Sequence, residues 1–334
     1  MRRRRAVAGA VLVGLLVLIL VLASSGGGTH KRTSSKRGQG TAGAQAAPAR
    51  FNVRRLPSTL PVALQDPATA ALDGHRFVLL GGLEAGESST AAITVFDVGQ
   101  VRSHGNLPEP QHDAQAALLG GAVYVFGGGQ VSSYDHILRF DPASSSVSQA
   151  GTLPQATSDA AVAEVAGTAY VIGGYNGQQA LDTIVAWKPG GTAEVVGHLP
   201  SALRYAAAAA VGGKIVIAGG TPGEGASAAI LRFDPATRLV QPIGQMPAPV
   251  EHASAFALGR YLYVVGGRGT AEGSQTAGVV AIDSASGRTT RVAELPQPLS
   301  DAGVAVGSGR VWVAGGRGTG GVLDSIVELE PAAR

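Results

Sequence analysis

The sequence predicts an all-β protein, a β-propeller of six blades preceded by one apolar N-terminal helix. Three observations predict this fold. A pair of glycines recurs six times at a nearly constant spacing, each pair ends a short apolar segment, and two further markers keep the same register. Glycine accounts for 49 of the 334 residues, about twice its usual share, and hydrophobic residues make up 45%, enough for a packed core.

Residues 1–23 are predicted to be a membrane anchor or a signal segment. Four arginines, residues 2–5, precede an unbroken apolar run, residues 6–23, which as a helix would span about 27 Å of a bilayer core of ~30 Å. This length favours an uncleaved transmembrane helix, but the small residues 23–25 leave cleavage as a signal peptide open. Because the arginines border the helix at its N-terminal end, we expect that end inside and the rest of the chain outside the cytoplasm. The protein is therefore expected at the cell membrane, or secreted if the leader is cleaved.

Residues 24–50 are predicted to be a flexible linker, because they are rich in Gly, Ser, Thr, Ala and basic residues and lack an apolar period. Residues 1–40 hold eight basic residues and no acid, which leaves 18 basic against 23 acidic residues in the remainder. The net charge of +3 therefore comes from the leader, and nucleic-acid binding is not expected. The absence of cysteine excludes disulfides, cysteine nucleophiles and thiolate metal sites.

Six repeats follow, each marked by an apolar segment that ends in a glycine pair. The second glycines are 46, 46, 46, 47 and 49 residues apart, at Gly82, Gly128, Gly174, Gly220, Gly267 and Gly316. A Leu-Pro or Met-Pro marker precedes each pair, beginning at Leu60, Leu107, Leu153, Leu199, Met246 and Leu295. An apolar residue before an acid or a proline turn follows each pair, at Phe96, Phe140, Phe233 and Ile282, with weaker copies at Trp187 and Leu329. Three markers in register six times predict one repeated structural unit.

Each repeat has the pattern of four short antiparallel strands. The alanine run 206–210 is interpreted as a crowded innermost strand rather than a helix, because it keeps the register of the other repeats. The glycine pair is expected at a strand end that needs an unusual φ or where a neighbouring chain approaches closely. One such sheet cannot bury both of its faces, but six arranged radially can.

The sixth repeat ends just after its third strand, at Arg334. The segment 51–56 precedes the first Leu-Pro marker and is expected to supply the missing fourth strand. The ring would then be closed by an N-terminal strand in the last blade, and the propeller is predicted to span residues 51–334.

The repeats resemble those of the kelch-repeat family, whose units of about 50 residues carry a diglycine after an apolar strand and a Tyr/Phe-Asp-Pro-like turn. The resemblance covers residues 51–334. A kelch unit usually has a tryptophan in its fourth strand, whereas the two tryptophans here, Trp187 and Trp312, lie elsewhere. The resemblance implies a six-bladed kelch-type propeller that binds partners on the face carrying the fourth-to-first-strand loops and the loops after the glycine pairs.

Two polar columns precede the innermost strands, five and six residues after the Leu or Met of each marker. The first column is Gln65, His112, Ser158, Arg204, Glu251 and Ser300, and the second is Asp66, Asp113, Asp159, Tyr205, His252 and Asp301. Six polar pairs are therefore expected around one mouth of the central channel. For the four recurring aspartates, structural capping of a turn and ligand binding are both open.

By the resemblance to kelch propellers, Arg204 matches a position often held by a ligand-contacting arginine, and the loops after the glycine pairs add further candidates. The predicted ligand- or partner-binding residues are His112, Asp113, Tyr175, Asn176, Arg204, Tyr205, Glu251, His252, Arg268, Asp301 and Arg317. No catalytic residue, metal ligand or cofactor is predicted. The pairs 112–113 and 251–252 could meet across the channel as a metal site, but their spacing does not demand one.

The favoured function is a membrane-tethered, extracytoplasmic binding module that presents one face of the ring to a protein, peptide or glycan. The alternative is a carbohydrate-active enzyme resembling sialic-acid mutarotases and epimerases, with Arg204, Glu251 and His112 as acid–base groups. A structural envelope protein without a defined ligand is the third possibility. Nucleotide binding is not expected, because no Lys-Ser/Thr pair follows the glycine-rich loops. An oxidase resembling galactose oxidase is excluded by the lack of cysteine.

Overall fold

The computed structural model describes residues 47–333, and the structural statements below concern these residues. The chain divides into two units, Met1–Ala46 and Ala47–Arg334, and the described residues belong to the second. The predicted anchor and nearly all of the predicted linker lie outside the described residues. Within residues 47–333, no helix has both the length and the apolar character needed to cross a membrane.

The described residues form strands joined by turns and loops. The first seven strands are β1 (Phe51–Thr59), β2 (Leu64–Gln65), β3 (Ala68–Ala71), β4 (Arg76–Leu80), β5 (Leu83–Glu84), β6 (Ala92–Asp97) and β7 (Gln100–Asn106). The next eight are β8 (Gln115–Leu119), β9 (Ala122–Phe126), β10 (His136–Asp141), β11 (Ser146–Thr152), β12 (Ala161–Val165), β13 (Thr168–Ile172), β14 (Thr183–Trp187) and β15 (Glu194–His198). Eight more follow as β16 (Ala207–Val211), β17 (Lys214–Ala218), β18 (Ser227–Asp234), β19 (Leu239–Val250), β20 (Ser254–Leu258), β21 (Tyr261–Val265), β22 (Thr276–Asp283) and β23 (Thr289–Ser300). The last five are β24 (Gly303–Gly307), β25 (Arg310–Ala314), β26 (Arg317–Gly318), β27 (Gly321–Val322) and β28 (Ser325–Pro331).

Six antiparallel sheets, each with four main strands, are the blades of a propeller. From the innermost strand outward, blades 1 to 5 are β3-β4-β6-β7, β8-β9-β10-β11, β12-β13-β14-β15, β16-β17-β18-β19 and β20-β21-β22-β23. Blade 6 is β24-β25-β28-β1, the short strands β26 and β27 continue blade 5 beyond β23, and β2 pairs with β5. The predicted all-β propeller of six blades is confirmed for the described part of the chain.

Each blade buries its faces against its two neighbours. Six hydrophobic clusters fill the six interfaces between adjacent blades of residues 47–333. Between blades 1 and 2, for example, Val78 and Leu80 lie in one cluster with Val123 and Phe140, and all four are fully buried. A sheet of this kind is stable only because another lies against it, which is the reason for the radial arrangement.

The glycine pairs are the points at which each blade contacts the next. In blade 2, the backbone N–H of Gly128 donates to the carbonyl oxygen of Thr157 in blade 3 at 2.9 Å. Gly127 has a φ of +59°, and a Cβ at this position would overlap the same carbonyl oxygen. The equivalent N–H donors in the other blades are Gly82, Gly174, Gly220, Gly267 and Gly316. The predicted close approach of a neighbouring chain is confirmed.

Small side chains line the central channel, which has a volume of about 380 Å³. The alanine run forms β16, the innermost strand of blade 4, as predicted. Ala116, Ala208 and Ala255 occupy equivalent positions on the innermost strands of blades 2, 4 and 5 and face this channel. The equivalent positions in blades 1, 3 and 6 hold Thr69, Val162 and Val304, so the channel at this level admits side chains up to the size of valine.

The outer strand of blade 6 comes from the beginning of the described residues. β1 runs antiparallel to β28, with Phe51 opposite Pro331 and Arg55 opposite Val327. Blade 6 therefore combines strands from both ends of the described chain.

Candidate functional site

One residue from each blade contributes to a closed ring of backbone hydrogen bonds around one mouth of the channel, which we call the axial ring. Its members are the second polar column: Asp66, Asp113, Asp159, Tyr205, His252 and Asp301. Each backbone N–H donates to the carbonyl oxygen of its counterpart in the preceding blade, at 2.8 to 3.3 Å. All six have a φ between 52° and 60°, in the left-handed region. The side chains of all six line a small cavity of about 60 Å³ at the mouth.

The backbone conformation explains why aspartate recurs in the axial ring. Aspartate tolerates the left-handed region better than most non-glycine residues, and histidine is also enriched there. The fold therefore requires a backbone conformation at these positions, and the identity of the side chain is left open. Tyr205 is the least ordinary occupant of such a position, which points to a role for its side chain.

The first polar column has a separate structural role. Its members form backbone bridges with the residue after the glycine pair of the same blade, as in His112 with Gly129 and Ser158 with Tyr175. These bridges place the fourth-to-first-strand loops beside the loops that follow the glycine pairs. The face that carries them therefore combines residues from both sets.

Arg204 is the centre of a cluster that spans blades 3 and 4. Its Nε donates to Asp159 Oδ2 at 2.7 Å, and its guanidinium also donates to the Tyr205 hydroxyl at 2.7 Å. The guanidinium carbon lies 4.2 Å from the centre of the Tyr175 ring and 4.7 Å from that of Tyr205. The Asp159 side chain is only 2% exposed, so Arg204 neutralises a buried carboxylate. Part of the Arg204 side chain still faces solvent. The structure thus brings together three predicted site residues and fixes the position of the cation.

A groove of about 320 Å³ runs beside this cluster, and we call it the mouth groove. It is lined by His112, Asp113, Gly129, Gln130, Val131, Ser132, Ser133, Ser158, Asp159, Tyr175, Gly177, Arg204 and Tyr205. The hydroxyls of Ser133 and Ser158 lie 3.1 Å apart, and Val131 at the rim is 99% exposed. Burial lowers the pKa of His112, so its imidazole is neutral at neutral pH. The groove therefore offers hydroxyl groups, aromatic rings, one fixed cation and one apolar contact.

Two further predicted residues pair with each other outside the mouth groove. Glu251 accepts hydrogen bonds from Arg268 at 2.8 Å and from the Thr221 hydroxyl at 2.6 Å, and its side chain is 6% exposed. The group Arg204, Glu251 and His112, expected for the enzyme alternative, does not line one groove. Both carboxylate oxygens of Glu251 are engaged, so this residue is not free to join a metal site with His252 either.

Asn176 and Arg317 are also held by local contacts. The Asn176 side-chain oxygen accepts from the backbone N–H groups of Gln178 and Gln179 at 2.9 Å, which closes its own turn. Arg317 donates to the Gln65 side chain at 3.4 Å, on the opposite side of the axial ring from Arg204. Neither residue lines the mouth groove.

Charged groups are crowded on the axis. His252 Nδ1 lies 2.5 Å from Asp301 Oδ1, and the imidazole stacks on the Tyr205 ring at 3.7 Å. Burial, together with the charges of Asp301 and Asp113, raises the pKa of Asp66. Burial opposes ionisation of Asp301 as well, but the hydrogen bonds to His252 and Ser300 and the charge of His252 together outweigh this and lower the pKa of Asp301. The crowding of carboxyl groups in the axial ring therefore opposes the ionisation of Asp66.

The burial of the Glu251–Arg268 pair leads to a prediction about stability. Arg268→Ala leaves a buried carboxylate without its cation, which should destabilise the fold by about 3 kcal/mol. The double variant Arg268→Ala/Glu251→Gln removes that charge and should recover at least half of the loss. Urea denaturation of the three proteins checks this, with Arg291→Ala, from an exposed ion pair, as the control. Equal destabilisation of the single and double variants would show that the pair has no such electrostatic role.

Several residues of the mouth groove were not predicted from the sequence. Asp159 belongs to the second polar column, but its recurrence suggested capping rather than a partner for Arg204. Val131 and Ser133 lie in the variable loop after the second glycine pair. The sequence signal for this part of the groove is Val131, an apolar residue among polar ones in that loop.

The chain matches a family model and solved structures. A family model described as the KLHDC2/KLHL20/DRC7 Kelch-repeats domain matches residues 68–267. No curated protein matches the sequence. Among solved structures, that of YjhT is similar with a TM-score of 0.69 at 18% identity, and the match covers 81% of this chain and 96% of that one. At this identity the likeness to YjhT concerns the fold alone.

Proposed function

The chain belongs to the kelch-repeat family, and from this premise we propose that it is a membrane-tethered, extracytoplasmic binding module that takes a protein or peptide segment into the mouth groove. Kelch propellers generally bind protein partners. The observation that carries the proposal is the arrangement of the mouth groove, where a fixed guanidinium lies between two tyrosine rings and a fully exposed valine stands at the rim. Tyrosine and arginine are enriched among the residues that dominate binding energy at interfaces.

The chemistry of the groove favours binding over catalysis. Arg204 is engaged by Asp159 and Tyr205, and Glu251 is engaged by Arg268 and Thr221. Neither is therefore poised as a free acid or base beside His112. Hydroxyl groups and aromatic rings suit sugars as well as peptides, so the binding experiment includes glycans.

The binding proposal is tested by two matched valine substitutions. Val131→Ser changes the rim of the mouth groove, whereas Val98→Ser changes a 75% exposed valine in the turn between β6 and β7, at the opposite end of the blades. Ligands would be selected by screening the full chain against peptide and glycan libraries. We expect Val131→Ser and Tyr175→Ala each to lower the affinity for the selected ligand about 10-fold, which corresponds to roughly 1.4 kcal/mol of binding free energy. Val98→Ser should have no effect.

Two results would contradict the binding proposal. One is the absence of any selected ligand. The other is equal affinity of the wild type and Tyr175→Ala. If a glycan rather than a peptide is selected, the protein is still a binding module, but its ligand is a glycan.

The tethering proposal rests on the sequence of residues 1–23 and has its own test. Because the chain lacks cysteine, Ser88→Cys in an exposed loop introduces a single thiol. A membrane-impermeant maleimide should label this thiol on intact cells. The same variant lacking residues 2–23 should be labelled only after lysis. Labelling of both proteins only after lysis would reject an extracytoplasmic location.

A further inference from the structure

We propose that the axial ring holds one divalent transition-metal ion on the propeller axis, with Asp66, His252 and Asp301 as its ligands. These three residues come from blades 1, 5 and 6 and lie next to one another in the ring. One potential ligand atom from each lies within 4.8 Å of those of the other two. Two of the three, His252 and Asp301, were also predicted from the sequence to bind a partner, but all three line the axial cavity and none lines the mouth groove.

The distances between the ligand atoms are close to those of a metal site. Bonds of about 2.0–2.2 Å to imidazole nitrogen and carboxylate oxygen place adjacent ligand atoms about 3 Å apart. His252 Nδ1 and Asp301 Oδ1 are 2.5 Å apart, so an ion that replaces their hydrogen bond requires these two atoms to separate by only about 0.5 Å.

An imidazole and a cavity distinguish this site from a cluster of surface acids. The imidazole supplies a nitrogen ligand among the carboxylates, and the side chain of Asp301 is 94% buried. The adjoining cavity of about 60 Å³ is lined by all three residues. Since one water requires roughly 10–15 Å³ of such space, an ion and its remaining water ligands fit. No ion pair joins Asp66 to a lysine or arginine among residues 47–333, so a metal ion here would not have to displace a basic side chain from this carboxyl group.

Neighbouring groups fix the orientation of two ligands. The Ser300 hydroxyl donates to Asp301 Oδ2 at 2.5 Å, which leaves Oδ1 directed at the imidazole. The Tyr205 ring stacks on His252 and holds the plane of the imidazole. Such outer contacts orient metal ligands in proteins generally.

The set of ligand atoms selects the class of ion. Two carboxylate oxygens and one imidazole nitrogen suit zinc, cobalt or manganese. Calcium prefers six to eight oxygen ligands, which three side chains on this axis do not supply.

The test is a titration of the full chain, purified without a polyhistidine tag, with Co²⁺ and Zn²⁺ by calorimetry and by the visible absorption of Co²⁺. Two isosteric variants are compared, Asp66→Asn and Asp113→Asn. Both change one axial-ring aspartate with a left-handed φ, and asparagine tolerates that conformation. Both replace one carboxyl group by an amide, but only Asp66 belongs to the ligand set.

We expect one equivalent of Co²⁺ and of Zn²⁺ to bind the wild type, with visible Co²⁺ bands. Asp66→Asn removes a direct ligand, so it should lower the affinity for both ions at least about 100-fold and should abolish the Co²⁺ bands. Asp113→Asn should change the affinity less than about 3-fold.

Three results would overturn the proposal. The first is no saturable binding to the wild type. The second is an equal loss in the two variants, since general attraction to acidic residues would then explain the binding. The third is Ca²⁺ binding as tight as that of Zn²⁺, which would indicate a different set of ligands. The titration uses the metal alone, so its outcome is independent of the partner proposed for the mouth groove.

Discussion

Gly127→Ala is expected to destabilise the propeller by at least about 4 kcal/mol, among the largest effects of a single substitution. The added methyl group would overlap the carbonyl oxygen of Thr157, and this oxygen also accepts the hydrogen bond from Gly128. Relief of the overlap would require blades 2 and 3 to move apart and lose that hydrogen bond. Urea denaturation followed by tryptophan fluorescence measures the effect, since Trp187 is buried in the interface between these blades.

Gly120→Ala is the matched control for this prediction. Gly120 has a φ of +58°, nearly the same as that of Gly127, but open space surrounds the position of its Cβ. Alanine there incurs only the strain of the left-handed conformation, about 1 kcal/mol. The difference between the two variants isolates the contact between the blades. If both variants lose equal stability, backbone conformation alone would explain the glycine pair.

Removal of β1 is expected to abolish cooperative folding. Phe51 packs edge-on against Phe256 and Tyr263, with ring centres 5.8 and 5.4 Å away, and Arg54 binds the buried Glu328 at 2.6 Å. Loss of the Phe51 and Leu56 side chains alone should cost at least about 5 kcal/mol. That is comparable to the whole stability of many domains, about 5–15 kcal/mol. A variant that begins at residue 60 should therefore lack a sharp thermal transition.

A variant that begins at Ala47 is the control, because it retains β1 and lacks the same leader. It should unfold in one sharp transition. A peptide spanning residues 51–59, added to the shorter variant, should restore part of that transition by pairing with β28. An identical transition in the two truncated proteins would show that β1 is dispensable for the ring.

The fold could be predicted because its determinants repeat. The same backbone contact between blades requires the glycine pair six times, and small residues such as Ala208 recur on the innermost strands that line the channel. A requirement that recurs in every blade is visible in one sequence without homologues. The left-handed backbone conformation of the axial ring is harder to recognise in the sequence, because residues as different as Asp66 and Tyr205 adopt it.

The candidate site could be predicted only in part, because its contacts occur once. The position of Arg204 at the mouth could be predicted from the sequence. Its pairing with Asp159, which lies one blade away, could not. Nor does the sequence show that Glu251 is bound by Arg268. Each of these pairs depends on which side chains two particular blades bring together, and a repeat pattern contains no such information.

The axial ring has one further consequence. Its hydrogen bonds are all made by main-chain atoms, so the ring itself requires nothing of the six side chains around the opening beyond the limits of a left-handed conformation. Asn, Asp, Gly and His meet those limits. Selection can thus replace the groups at the opening one by one while the scaffold persists. A library randomised at six codons would sample new specificities without redesign of a single strand.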